Sequence, residues 1–122
     1  MFLEAHKKSG SWLSPGGHID SGETPAKTAE REMAEELGVM HHLTATDIPR
    51  LLTITHIKRD PRACAIHFDI WYFIPIENTV FPSKKEGEFD EARWFALGEA
   101  RSILTDENNL LAMDFVEKHL FV

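Results

Sequence analysis

Glu32, Glu35 and Glu36 stand at i, i+3 and i+4, a spacing that puts three carboxylates on one face of a helix. Local helix energetics does not explain them, because each like-charge pair at i, i+4 costs about 0.2–0.5 kcal/mol. A bound divalent cation reverses that sign, and hard oxygen ligands suit Mg2+, with Mn2+ as a substitute. The plainer alternative is an acidic solvated face, which accounts for the charges but not for their ordered neighbours.

Those neighbours position the carboxylates. Thr24 followed by Pro25 makes a helix entry, since threonine can cap and proline is tolerated at the first helical position. Gly38 fits the left-handed position that stops a helix. Between them the spacing predicts about four turns at 3.6 residues each, with Ala26, Ala29, Met33 and Leu37 as a narrow apolar stripe. Pro15, Gly16 and Gly17 form a turn ahead of this unit, where backbone without Cβ can approach a ligand closely. The Gly16 carbonyl is a candidate to complete an oxygen coordination shell. Glu23 and Arg31 are opposite charges able to pair loop with helix and fix the loop over the carboxylates.

Taken together, residues 17–39 read GHIDSGETPAKTAEREMAEELGV. Gly17, Glu23, Arg31, Glu32, Glu35, Glu36 and Gly38, with apolar Met33 and Val39, match G-x5-E-x7-R-E-U-x-E-E-x-G-U without a mismatch, U being a bulky apolar residue. The segment resembles the signature of the Nudix hydrolases, which cleave nucleoside diphosphates linked to another group. The resemblance implies an α/β (α+β) Nudix fold, a mixed β-sheet sandwiched between α-helices. It also implies attack of water on phosphorus in a diphosphate bridge, with Mg2+ neutralising phosphate oxygens and acidifying the water. Glu35 and Glu36 are then the expected metal ligands with Gly16. Glu32 is a ligand, the general base, or both, and Glu23 and Arg31 are supporting residues. Gly16, Gly17, His18 and Trp12 are the candidate substrate contacts. For His18 the plainer reading is a surface histidine, and for Trp12 it is packing. The run EFDEARWF resembles the family's late acidic loop, making Glu88 a further catalytic candidate and Glu91 a weaker one.

The remaining composition sets bounds. At 122 residues the chain is read as one domain, 1–122, large enough to bury about two-thirds of its unfolded surface. A formal charge of −7 argues against a nucleic-acid polymer as partner but not against nucleotides, because bound cations change the local field. One cysteine, Cys64, excludes an internal disulfide, fits a reducing compartment and sits in an apolar run that reads as core. No apolar run approaches the ~20 residues that span a bilayer. The expectation is a cytoplasmic protein.

Along the chain, residues 2–6 read as the tail of a strand and 7–11 as a polar turn. Residues 43–57 hold one or two strands, broken or edged by Pro49. The best strand is 63–76, where Ile66, Phe68, Ile70, Tyr72 and Ile74 alternate onto one face. Residues 82–87 read as a polar loop and 92–95 as a short strand containing a core Trp94. Two helices follow, 97–104 and 107–120, with Asp106 capping the second. Members of the family usually open with a strand ahead of the piece resembling FLEAHKKSGSWLSPGG, so the opening strand is expected to be shortened or missing. Either the start lies upstream of Met1 or a second subunit covers an exposed sheet edge, which points to a homodimer.

His56, His67 and Asp69 match no compact zinc pattern and are assigned to substrate contact or structure. His41 and His42 follow the helix end, where cationic side chains are mildly favourable. The markers that distinguish ADP-ribose, dinucleoside polyphosphate and NADH pyrophosphatases among relatives are absent, so the leaving group stays open. The alternative function is a Nudix-fold module that binds or senses a nucleotide without cleaving it, and a third is a paralogue that only assembles with partners. The full carboxylate set favours catalysis.

Overall fold

The computed structural model describes residues 1–7, 10–56, 66–77 and 89–120. Cys64, Glu88 and the loop expected at 82–87 lie outside the described residues. Nine elements run in the order β1 (Phe2–His6), β2 (Trp12–Leu13), α1 (Pro25–Glu32), a π-helical turn (Met33–Leu37), β3 (Leu51–His56), β4 (Ile66–Trp71), β5 (Phe89–Trp94), α2 (Leu97–Ile103) and α3 (Glu107–His119). The fold is α+β, as expected. The described strands pair antiparallel in two sheets, β2-β1-β5 and β3-β4.

Strand β1 is the centre, paired on both edges, and its alternation builds a core on each face. Leu3 packs with Phe95, Ala100, Leu104 and Met113, which brings α2 and α3 onto one side. Phe2 packs with Met33 and Leu37, which brings the carboxylate-bearing helix onto the other. Trp94 meets Phe2 edge-on at 5.5 Å between ring centroids, the core role expected of it. Trp12 meets Phe95 edge-on at 5.1 Å, on the α2/α3 side.

The helix unit begins as the sequence predicts. Thr24 Oγ1 accepts from the Lys27 amide at 3.2 Å, with Pro25 in the first turn. It ends at Gly38, whose φ of +67° is the left-handed conformation that favours glycine. The last turn departs from expectation: residues Met33–Leu37 are π-helical rather than α-helical. A π turn closes i→i+5 and rotates less per residue, so it carries i+4 back over Glu32 and leaves i+3 to the side. Glu36 is accordingly buried with Glu32, whereas Glu35 is turned to the rim.

Within 43–57 there is one strand, β3, which begins just after Pro49. Ile66, Phe68 and Ile70 do alternate onto one face, but that face points outward, with Phe68 62% exposed. Leu52 and Ile54 of β3 join them. The inward face is polar and hydrogen-bonded instead. Trp71 Nε1 donates to Thr53 Oγ1 at 2.9 Å, and Asn108 Nδ2 of α3 donates to Asp69 Oδ2 at 3.0 Å and to Thr55 Oγ1. The C-terminal helix starts where expected, with Asp106 Oδ2 accepting from the Asn109 amide at 3.0 Å. Among the described residues no helix is long and apolar enough to cross a membrane.

Candidate active site

Three pieces of backbone meet at the site: the glycine loop, the α1–π segment and β1. The loop is tethered from behind, because the Ser14 amide donates to Asn109 Oδ1 at 2.8 Å beside the α3 cap. Its glycines then face the carboxylates. The Gly16 amide donates to Glu36 Oε2 at 3.0 Å. A Cβ on Gly17 would collide with the Glu32 carboxylate, 2.6 Å from its Cδ, so only glycine lets this loop and this side chain close on each other.

Arg31 ties the loop to the helix. Its Nε and Nη2 grip the two oxygens of Glu23 at 2.8 and 3.0 Å, the bidentate geometry that makes arginine–carboxylate pairs strong. Nη2 also donates to the His18 carbonyl at 3.0 Å and lies 3.5 Å from Asp20. Nη1 reaches Glu32 at 2.9 Å and Glu35 at 3.5 Å. The expected loop-to-helix pair is present, and Arg31 additionally touches two of the three candidate metal carboxylates. Glu23 accepts further from the Asp20 amide and Thr28 Oγ1, both at 2.9 Å. Arg31 first, and then the Asp20 amide, hold the Glu23 carboxyl down to about 2. Glu23 and its partners hold Arg31 fully in its cationic form, above its ordinary value.

Glu36 is the opposite case. Only 4% exposed, it sits in a pocket with Glu32 and with Glu4 of β1, which is 1% exposed and shares a hydrogen bond with it. Burial pushes the Glu36 carboxyl up to about 9, with the charges of Glu4 and Glu32 adding to the rise. Such a pocket is short of positive charge.

The expected cage is not assembled. Among the described residues, no three acidic, histidine or cysteine side chains are gathered closely enough to hold an ion. The physical reasons are local: Arg31 holds Glu32 and Glu35, Glu35 is 39% exposed at the rim, and Glu36 faces Gly16 and Glu4. The donor chemistry still fits a divalent cation, since every group aimed into the pocket is a carboxylate oxygen whose repulsion such an ion would relieve.

The other candidates fall on different sides. His18, in the loop, stands with its ring perpendicular to that of His67 on β4, centroids 5.6 Å apart, which brings the β3–β4 sheet to the edge of the site. Trp12 is not brought to the carboxylates. It pairs with Ala5, on the opposite face of the sheet from Glu4, and packs on Phe95 with the Arg93 guanidinium 5.9 Å from its ring. Glu91, the weaker late-loop candidate, lies on β5 opposite Ala5, exposed and 3.4 Å from Arg93. Sequence reasoning missed Glu4, Asp20 and Thr28. A signal for Glu4 was present: it shares the alternating inward face of β1 with Phe2.

The sequence matches the NUDIX domain over residues 2–115, nearly its whole length. The chain belongs to the Nudix family. As a Nudix protein it is a hydrolase acting on pyrophosphate bonds, and hydrolases of this family generally use divalent metals such as Mg2+. No curated protein matches the sequence. Among solved structures the Nudix fold is shared with the E. coli dihydroneopterin triphosphate pyrophosphohydrolase. The TM-score is 0.72 at 17% identity, over 99% of this chain and 86% of that one.

Proposed function

We propose that this Nudix protein is a divalent-metal-dependent pyrophosphohydrolase acting on a nucleoside diphosphate linked to another group. The observation that carries the reading is the buried pair Glu32 and Glu36 beneath the glycine loop, with Glu36 short of a positive partner. Glu36, Glu35 and Glu32 would hold the ion together with the Gly16 backbone, after Glu32 and Glu35 swing from Arg31. When bound, Mg2+ or Mn2+ would neutralise phosphate oxygens and lower the pKa of the attacking water. Glu32, or Glu88 of the late acidic loop, would take that water's proton. Arg31 and Glu23 keep the loop seated, and the Gly17 backbone and His18 offer contacts to the phosphates. Trp12 would serve packing rather than the base.

A non-catalytic nucleotide sensor is the competing reading, favoured by one observation: Arg31 already satisfies Glu32 and Glu35. A panel of nucleotides incubated with Mg2+, read by phosphate and pyrophosphate release, separates the two. Nucleoside triphosphates, sugar nucleotides and dihydroneopterin triphosphate belong in it. Turnover of at least one compound is expected, and tight binding without release would select the sensor.

The proposal includes one catalytic domain over residues 1–122, a cytoplasmic site of action and a homodimer. The outward apolar face of Leu52, Ile54, Ile66, Phe68 and Ile70 supports the last. A monodisperse monomer by light scattering would remove it.

A further inference from the structure

We propose that Glu4 is a positioning residue of this site, its buried carboxyl holding Glu36 in the orientation from which Glu36 serves a divalent ion. The inference rests on the metal-dependent reading above and goes beyond it, because Glu4 lies outside the signature segment, on the central strand.

The geometry carries the argument. Phe2 and Glu4 share one face of β1. Phe2 packs on Met33 and Leu37, which seats the strand against the π turn. Glu4, two residues on, therefore comes against Glu36 and hydrogen-bonds with it. The other attachment of Glu36 is the Gly16 amide at 3.0 Å. The carboxylate is thus held from the loop and from the sheet, two rigid supports on different elements. Metal sites depend on such outer partners, which fix the direction in which a ligand presents its oxygens.

Packing does not explain Glu4. It is 1% exposed, between Leu13 of β2 and Ala92 of β5 in the sheet, where an aliphatic side chain would fill the same position without desolvating a carboxyl. Acidic residues are almost never fully buried unless paired, and this one is paired with another acid. An arrangement that works against stability at the floor of an active site is explained by what it does to the neighbour.

The test is Mn2+ binding without nucleotide, followed by electron paramagnetic resonance, in the parent, Glu4→Leu, Glu4→Met and Glu4→Gln. Both apolar variants are expected to fold with a thermal midpoint at or above the parent's. Both are expected to bind Mn2+ about 10- to 100-fold more weakly, the range for losing an outer partner of a metal ligand. Glu4→Gln, whose amide can still donate to Glu36, is expected to bind near the parent's level. The two apolar variants guard against a folding failure in one of them. Folded apolar variants that bind Mn2+ as the parent does would overturn the role of Glu4 alone. A glutamine variant as weak as the apolar ones would also overturn it, because the charge itself would then be needed. A parent that binds no Mn2+ would overturn both this role and the metal-dependent reading.

Discussion

Gly17 lies against Glu32 so closely that the smallest side chain cannot be added: a Cβ there would stand 2.6 Å from the Glu32 Cδ. Loop and carboxylate are therefore fitted to each other, and the glycine is required by contact rather than by its backbone angle. Gly17→Ala should push Glu32 out of place and lower kcat/KM by about 100-fold, the scale of a 1 Å misplacement. Gly98→Ala on α2, which has open space around it, should leave the rate unchanged. Steady-state kinetics on any substrate found by the nucleotide panel would check the pair. Equal rates for the parent and Gly17→Ala would contradict the fit.

Arg31 makes a planar, two-pronged contact with Glu23 while reaching Glu32 with its third nitrogen. A lysine ammonium cannot span those positions. Arg31→Lys is therefore expected to lose nearly as much activity as Arg31→Gln, about 10- to 100-fold, as for other outer partners of metal ligands. Full activity in the lysine variant would show that only charge matters there.

The Glu23 carboxyl gives a stability prediction with a definite sign. Its value is lowered from 4.5 to about 2, first by Arg31 and then by the Asp20 amide. A depressed acid contributes stability that is fully present above its unfolded value and is lost as pH falls through its folded value. The thermal midpoint of the parent should exceed that of Glu23→Gln at neutral pH, and the gap should close between about pH 4.5 and 2. A gap that stays constant down to pH 2 would contradict the pairing.

Glu36 predicts the pH dependence of metal binding. Its carboxyl keeps a proton up to about 9, chiefly through burial and then through Glu4 and Glu32. A cation entering the pocket must displace that proton, so affinity rises with pH and binding releases protons. Mn2+ titrations from pH 6 to 9 should show increasing affinity, and Glu36→Gln should flatten the trend. A parent whose affinity is independent of pH would count against Glu36 as a ligand.

The helix unit was legible because its start, stop and charged positions are local. Thr24 caps, Gly38 stops, and Glu23 and Arg31 pair as their charges and spacing imply. The π turn was not legible, since i→i+5 closure leaves no mark in the spacing of glutamates, and it is what separates Glu35 from Glu36. The alternation of Ile66, Phe68 and Ile70 was readable, but its direction was not. Which face turns inward was decided by partners distant in sequence, above all Asn108 reaching Asp69 and Thr55. Glu4 was overlooked for the same reason: its meaning depends on a carboxylate 32 positions away.

The most direct test of the central claim is turnover by the variant carrying both Glu35→Gln and Glu36→Gln, measured with Mg2+ on the best substrate of the panel and alongside circular dichroism. A fold like the parent's with hydrolysis reduced by orders of magnitude is the expected result. Near-parental turnover in that variant would contradict the assignment of these carboxylates to the metal.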